Sequence, residues 1–239
     1  TSSDFSETGR IRPENVVLSG DPDPSGAEEI YGGSSSETLD GGSGNDSIYG
    51  GRGMDTIYGG SGDDVLLSEG GQSELYGGIG NDYFRIESSG SGPAALYGGA
   101  GDDEFWAGFE ADTIVGGSGD DEIIMNFDGV GDLIVTGIGN DLVWAERGEY
   151  TIQFVADGVF SYSETELRNF DERNGAKIIL FENAIDDYDD LVQNHLRIDG
   201  PHAYIEHDNF QIMIRSEWGN ITMDDFTAPD SVWADVFTF

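Results

Sequence analysis

The stretch GGSGNDSIYGGRGMDTIYGGSGDDVLL, residues 41–67, contains three successive copies of one nonapeptide. Every copy follows the pattern Gly-Gly-x-Gly-x-Asp-x-apolar-x, in which x is variable. Further copies follow downstream, the last with Thr136 in place of its first glycine: residues 77–85, 98–106, 116–124 and 136–144. Because the copies share one register, each should form the same local structure, and this nonapeptide predicts a parallel solenoid of stacked strands.

The composition is strongly acidic. Lys and Arg number 10 against 48 Asp and Glu, which gives a formal net charge of -38. This charge excludes nucleic acid as a natural partner, since phosphate binding needs clustered cations, and it argues equally against anionic membranes. Disorder of the whole chain is not expected, because 37% of the residues are hydrophobic and many carboxylates recur at one fixed repeat position.

The chain has no cysteine. Without disulfides a secreted fold needs another staple, and a metal ion is the usual alternative. The apolar runs are too short to form a transmembrane helix. The first ten residues, TSSDFSETGR, contain neither the basic nor the apolar region of an N-terminal signal peptide.

The residue types of the repeat suit calcium. Glycines at positions 1, 2 and 4 let the backbone turn tightly and point carbonyl oxygens at an ion, and the aspartate at position 6 adds a carboxylate. Calcium accepts such oxygen ligands flexibly, whereas magnesium demands a tighter octahedral geometry. The predicted calcium ligands are Gly42, Gly44, Asp46, Gly51, Gly53, Asp55, Gly60, Gly62, Asp64, Gly78, Gly80, Asp82, Gly99, Gly101, Asp103, Asp112, Gly117, Gly119, Asp121, Asp132, Gly137, Gly139 and Asp141.

The apolar residue at position 8 is expected to point inward from a strand. These residues can be followed through the imperfect copies as well, from Ile30 to Ile152. The predicted calcium-binding roll therefore covers residues 23–153. A polar segment at residues 1–22, expected to be a tail or an N-terminal edge cover, precedes it, and a C-terminal region at residues 154–239 that is expected to cap the roll follows.

Two copies make one turn of such a roll, so alternate copies stack in two rows. The row that we call the main row has an aspartate in every copy: Asp46, Asp64, Asp82, Asp103, Asp121 and Asp141. The other, the second row, is irregular and contains Glu37, Asp55, Ser73, a proline-containing insertion within residues 86–97, Asp112, Asp132 and Tyr150. The sequence thus predicts one continuous row of calcium sites and one broken row.

The nonapeptides resemble those of the RTX (repeats-in-toxin) family. The resemblance implies an all-β, right-handed parallel β-roll in which each ion lies between a copy and the copy two further on. The main row would then hold about five calcium ions and the second row roughly one to three more. Glu37 with Asp55, and Asp112 with Asp132, are the favoured pairs in the second row.

Electrostatics predicts that calcium controls folding. Successive turns stack about 4.8 Å apart, and bare carboxylates at that spacing repel by about 3 kcal/mol at an effective dielectric constant near 20. A whole row without counter-ions would exceed the ~5–15 kcal/mol that stabilises a typical domain. The sequence therefore predicts that calcium binding is coupled to folding.

Beyond residue 153 the glycine period stops and strand-like runs follow, at residues 177–181, 202–207, 210–215, 220–223 and 236–239. Residues 184–193 are expected to form a short helix or an acidic turn. These segments are predicted to cover the open end of the roll. Their order resembles the C-terminal flank of RTX proteins, and the final DVFTF resembles a type I secretion terminus, although a last edge strand explains it equally well. The resemblance implies a bacterial, extracellular protein whose partner is the type I secretion machinery.

No catalytic arrangement is visible. The segment HAYIEH at residues 202–207 has neither the HExxH nor the HxxEH spacing of zinc proteases, so His195, His202 and His207 are expected to be ordinary surface histidines. The chain lacks a thiol nucleophile, and with 48 acids the adjacent carboxylates at residues 186–187 and 189–190 are expected by chance. We predict a non-catalytic module, with any catalytic domain upstream.

Three alternative functions remain open at this stage. The chain could be a carbohydrate-binding companion module of a secreted polysaccharide enzyme, since modules of alginate epimerases resemble it. Arg52 and Arg85 are the only Lys or Arg residues between 23 and 116, which disfavours an anionic glycan unless calcium bridges it. A sugar-stacking surface could form from Trp106, Trp144, Trp218 and Trp233 with Tyr49, Tyr58, Tyr76 and Tyr97, although packing of the tyrosines over the roll is the favoured interpretation. The chain could also be the targeting domain of a secreted protease or lipase, or the end of an adhesin.

Overall fold

A computed structural model describes residues 17–19, 26–69, 72–87, 92–125, 130–144, 149–153, 163–168, 177–179, 196–199, 202–207, 210–215 and 237–238. Every regular element among these residues is a β-strand, and the strands form two sheets. The predicted all-β fold of stacked parallel strands is confirmed. No described element is a helix that could span a membrane.

The first sheet contains ten strands in the order β1 (Val17–Ser19), β3 (Thr38–Ser43), β5 (Thr56–Ser61), β7 (Glu74–Ile79), β9 (Ala95–Ala100), β11 (Thr113–Ser118), β13 (Val130–Ile138), β15 (Glu149–Gln153), β17 (Lys177–Ile179) and β21 (Phe237–Thr238). The second sheet contains eleven, in the order β2 (Glu29–Tyr31), β4 (Ser47–Tyr49), β6 (Val65–Ser68), β8 (Tyr83–Ile86), β10 (Glu104–Trp106), β12 (Glu122–Ile124), β14 (Asn140–Trp144), β16 (Ser163–Arg168), β20 (Phe210–Arg215), β19 (His202–His207) and β18 (Leu196–Asp199).

From β2 to β17, consecutive strands alternate between the two sheets, so each pair of nonapeptides makes one turn. Within a sheet, equivalent repeat positions lie side by side in parallel register. Ile57 of β5, for example, pairs with Leu39 of β3 and Leu75 of β7. The fixed nine-residue period produces this register, because neighbouring turns then place identical positions opposite one another.

The core is a ladder of single apolar side chains between the sheets. Each repeat strand buries its position-8 residue and turns the flanking residues outward, as the two-residue period of a strand requires. Leu39, Ile57 and Leu75 in one sheet are at most 1% exposed. Where the ladder contains phenylalanines, Phe84 and Phe105 stack with ring centroids 4.6 Å apart. The core is therefore narrow, and each turn contributes few apolar groups to it.

The sheets continue past the last glycine repeat. Strand β16 adds to β14 and β17 adds to β15, both in parallel, and β20 and β21 extend the two sheets further. The strands β18, β19 and β20 form an antiparallel meander at the end of the second sheet. The strand-like runs at residues 202–207 and 210–215 are indeed strands, whereas the segments predicted at 184–193 and 220–223 lie outside the described residues.

At the other end, Val17–Ser19 pairs in parallel with β3, so this part of the segment predicted as a polar tail or an N-terminal edge cover extends the first sheet. The sequence boundary at residue 153 thus marks the end of the glycine repeat and not the end of the sheets. The domain limits at residues 22 and 153 remain a proposal based on the sequence.

Candidate metal centre

The repeat turns bring neighbouring backbones unusually close. All the glycines predicted to offer carbonyl ligands have positive φ, between 79° and 149°. At Gly60, whose φ is 114°, an added Cβ atom would lie 2.1 Å from the carbonyl oxygen of Gly42 in the preceding turn. Glycine alone tolerates that backbone shape together with such an approach. Backbone carbonyl groups of successive turns therefore lie close to the glycines of the neighbouring turn.

The main-row aspartates are buried and linked by a ladder of hydrogen bonds. In each, Oδ1 accepts the backbone N–H of the residue one turn earlier. Asp64 Oδ1 lies 2.8 Å from the nitrogen of Asp46, and Asp82 Oδ1 lies 2.8 Å from that of Asp64. The same bond recurs at Asp46, Asp103, Asp121 and Asp141. The backbone thereby fixes the orientation of every carboxylate and occupies one of its two oxygens.

The other oxygen, Oδ2, is buried and lacks a hydrogen-bond partner among the described residues in all six members of the main row. An unsatisfied buried group costs about 1–3 kcal/mol, and more when it is charged. A Cβ atom on Gly59 would lie 2.4 Å from Asp64 Oδ2 and 2.7 Å from the carbonyl oxygen of Gly77, so a carboxylate oxygen without a hydrogen-bond partner and a carbonyl oxygen converge there. A hard cation would satisfy both, and all-oxygen ligands suit calcium. The residues present therefore fit the metal that the repeat implies.

Side chains alone do not form a metal cluster. Within the described part of the chain, no group of three or more His, Asp or Glu side chains converges on one point. A row with one carboxylate per turn accounts for this, because backbone carbonyls must supply the remaining oxygens. Of the histidines, His202 and His207 pair with Arg215 and Phe210 across the β19–β20 hairpin, and His195 lies outside the described residues.

Burial disfavours the ionised form of the main-row aspartates from Asp64 to Asp141. Desolvation, reinforced by the neighbouring carboxylates of the row, raises the pKa of Asp82 to about 7 and that of Asp121 to about 8, against the opposing effect of the backbone hydrogen bonds. Desolvation likewise raises the pKa of Asp64 and Asp103 to about 6. A bound divalent cation would reverse this by favouring the charged form. The row is thus electrostatically unfavourable at neutral pH unless a cation compensates it.

The structure also contains a second, exposed ladder that the sequence analysis overlooked. Asp63 N–H donates to Asn45 Oδ1 at 3.0 Å, and Asn81 N–H donates to Asp63 Oδ1 at 2.9 Å. Position 5 continues this pattern through the remaining main-row copies, at Asp102, Asp120 and Asn140. The signal was present in the sequence, since position 5 is Asn or Asp in every main-row copy, whereas the second-row copy at residues 50–58 has Met54. These side chains hold the outer edge of the turns in register.

The second row fits a cation only in part. At its N-terminal end, Glu37 Oε1 and Asp55 Oδ2 are buried without a hydrogen-bond partner, as in the main row. In the next two turns Ser73 and Ala94 occupy position 6. Asp112 then accepts two backbone hydrogen bonds, and Asp132 Oδ1 accepts the N–H of Asp112 at 2.8 Å. The sequence did not reveal that Ala94 occupies position 6, because the insertion interrupts the nine-residue period. Its position follows from Leu96, which lies two residues later and occupies position 8.

Tyrosines at position 9 pack against each other on the outside of the first sheet. The rings of Tyr58 and Tyr76 stack with centroids 5.0 Å apart, and those of Tyr76 and Tyr97 with centroids 4.8 Å apart. Tyr31 and Tyr49 form a similar pair on the second sheet. The ring faces of Tyr76 are therefore covered on both sides, whereas stacking on a sugar needs an open face. This arrangement favours packing over the roll.

The family model described as RTX calcium-binding nonapeptide repeat matches the chain in four copies, at residues 31–66, 61–85, 89–123 and 130–152. These stretches contain the turns that carry both rows. The chain belongs to the RTX calcium-binding repeat family, and its roll is a calcium-binding module.

Among solved structures, the chain is similar to the extracellular lipase LipA from Serratia marcescens, with 15% sequence identity and a TM-score of 0.43. The similarity covers 99% of this chain and 42% of the lipase chain, so this chain spans less than half the length of that protein. No curated protein matches the chain.

Proposed function

We propose that this chain is a non-catalytic extracellular module whose roll folds when calcium binds after export by a type I secretion system. The family supports export, and the charge distribution supports folding on binding. The observation that carries the proposal is the row of six buried carboxylates, each with one oxygen that has no donor among the described residues. Calcium would convert that unfavourable row into a set of ion bridges between turns.

In this proposal the main-row carboxylates and the glycine carbonyls of the same turns hold about five ions, one between each pair of neighbouring turns. Calcium supplies the positive charge, and the chain supplies oxygens already arranged in register by the Oδ1 hydrogen bonds. Glu37 and Asp55 are the second-row residues whose unpaired oxygens match the same role. The narrow core offers little apolar burial to replace the ions.

The experiment that tests this is a calcium titration of the metal-stripped protein. Far-UV circular dichroism would report β-structure, and equilibrium dialysis would report bound ions. We expect a cooperative gain of β-signal with calcium and none with magnesium at the same concentration. A metal-free protein at neutral pH with the full β-signal would refute the coupling of binding to folding, while leaving calcium binding itself intact.

A further inference from the structure

The middle of the second row has other side chains where the first five main-row copies have a glycine at position 1 and an aspartate at position 6. In the copy at residues 50–58, a Cβ atom on Gly50 would lie 2.8 Å from Asp55 Oδ2, so the carboxylate occupies the space next to position 1. One turn later, serines stand at both positions. Ser68 Oγ and Ser73 Oγ lie 3.1 Å apart, both side chains are buried, and Ser73 Oγ accepts the N–H of Asp55 at 3.2 Å.

In the next copy of the second row, positions 1 and 6 are both apolar. Ile86 stands at position 1 and Ala94 at position 6, and both are buried in the hydrophobic core. Neither side chain offers an oxygen, so this turn lacks the carboxylate that a hard cation receives from each main-row turn. An added Cβ atom on Gly108 would lie 3.0 Å from Ile86 Cγ2 and 3.2 Å from Asp112 Oδ2. The Cβ position of Gly108 is thus close both to an apolar methyl group and to the carboxylate of its own turn.

Asp112 itself differs from the main-row aspartates. Its Oδ1 accepts the N–H of Ala94 at 2.8 Å, and its Oδ2 accepts the N–H of Gly108 at 2.9 Å. Both oxygens therefore have donors from the protein, whereas Asp64 and Asp121 each retain a buried oxygen without one. A carboxylate that accepts two backbone hydrogen bonds is stabilised without a cation.

We propose that the second row holds no calcium between Ser68 and Asp112, and that protein groups replace the ions there. The replacements are a hydroxyl pair, an apolar pair and a doubly hydrogen-bonded carboxylate. The second-row residues that keep an unpaired buried oxygen, Glu37 and Asp55, then remain its calcium ligands, while the main row opposite remains continuous. This inference rests on the proposed function only in assuming that the main row binds calcium. In this proposal Asp112 has a structural role, whereas the sequence predicted it to be a calcium ligand.

The test compares Asp112→Asn with Asp64→Asn, a matched pair of buried aspartates on opposite rows. Bound calcium per chain is measured by equilibrium dialysis at saturating calcium, after circular dichroism has verified folding. We expect D112N to bind as many ions as the wild-type protein and D64N to bind fewer. A folded D112N that binds fewer ions overturns the proposal. If D64N retains the wild-type count, the ligand assignment in the proposed function fails instead.

Ser73→Ala provides an independent arm that leaves Asp112 intact and carries the test if D112N does not fold. If Ser73 belongs to a hydroxyl pair, S73A lowers the unfolding temperature in calcium but keeps the number of bound ions. If its hydroxyl coordinates calcium, the count falls and the proposal is wrong. Asp55→Asn serves as the control within the same row, because Asp55 Oδ2 has no donor among the described residues, and it should reduce the count.

Discussion

At the scale of single residues, each main-row aspartate has two distinct tasks. One oxygen binds the backbone of the previous turn and sets the spacing of the solenoid, and the other is left for an ion. The glycines make this possible, because a side chain at Gly59 would displace the carboxylate of Asp64 and one at Gly60 would displace the carbonyl of Gly42 in the adjacent turn. Substitutions at these glycines should therefore affect the stability of the roll even at saturating calcium.

Gly60→Ala is the first prediction at this scale. Its Cβ atom would lie 2.1 Å from the Gly42 carbonyl oxygen, at a φ of 114° that alanine rarely adopts. Backbone strain of this kind costs about 1–3 kcal/mol before the steric clash is added. We expect a clear fall in the unfolding temperature of the calcium-bound protein, measured by circular dichroism. Gly33→Ala is the matched control, because its Cβ atom would meet nothing closer than Glu37 Oε1 at 3.5 Å, and it should change stability little.

Two features of single residues could not be predicted from the sequence, namely the hydrogen bonds of Asp112 and the position of Ala94 in the row. The nonapeptide identified every glycine with positive φ in the main row, since the pattern repeats without interruption there. It could not reveal that Asp112 is satisfied by the protein, because that depends on the N–H groups of Ala94 and Gly108 on two different turns. An insertion separates Ala94 from the regular period, so its place between Ser73 and Asp112 in the second row follows only from the pairing of Leu96 with Leu75 and Ile114.

At the scale of strands, the alternation of inward and outward residues determines where stability resides. Strand β6 offers a direct comparison, since Leu66 is completely buried and the adjacent Leu67 lies on the outer face with partial exposure. Removing a buried leucine leaves a cavity between the sheets, and the narrow ladder has few neighbours that could move in to fill it.

We expect Leu66→Ala to cost about 2–5 kcal/mol and Leu67→Ala distinctly less. Chemical denaturation in saturating calcium, followed by circular dichroism, would measure both free energies of unfolding. The two variants remove the same atoms from neighbouring positions, so only the direction of the side chain differs. Equal losses of unfolding free energy would mean that the inward-pointing position-8 residues do not form the stabilising core.

The strands of the repeat were predictable because their period is short and regular. Ile57, for instance, follows Leu39 and precedes Leu75 at equal spacing, and parallel register follows directly. The continuation of the sheets beyond residue 153 was less accessible. Strands β16 and β20 pair across a long stretch of chain, and nothing in the local pattern of either segment states which strand is its neighbour.

At the scale of the whole molecule, the distribution of negative charge makes folding sensitive to calcium and to pH. A formal net charge of -38 opposes compaction, and the main row concentrates part of that charge inside the turns. Either a divalent cation or a set of protons can remove the internal repulsion. The two agents should therefore substitute for one another in promoting the folded state.

The pH dependence of the metal-free protein tests this. The pKa values of Asp64, Asp82, Asp103, Asp121 and Asp141 are raised in the folded state, from about 6 for Asp64 to about 8 for Asp121, against an ordinary value of 3.8. Such groups bind more protons when folded, so their stabilising contribution is complete below the ordinary value and is lost as the pH rises through the raised values. We expect metal-free protein to gain β-signal on acidification from about pH 8 to about pH 5, a range that stays above the isoelectric point near 4.1. The calcium-saturated protein is the control and should already be folded at the higher pH. Metal-free protein that loses β-signal on acidification would show that repulsion within the carboxylate row does not limit folding.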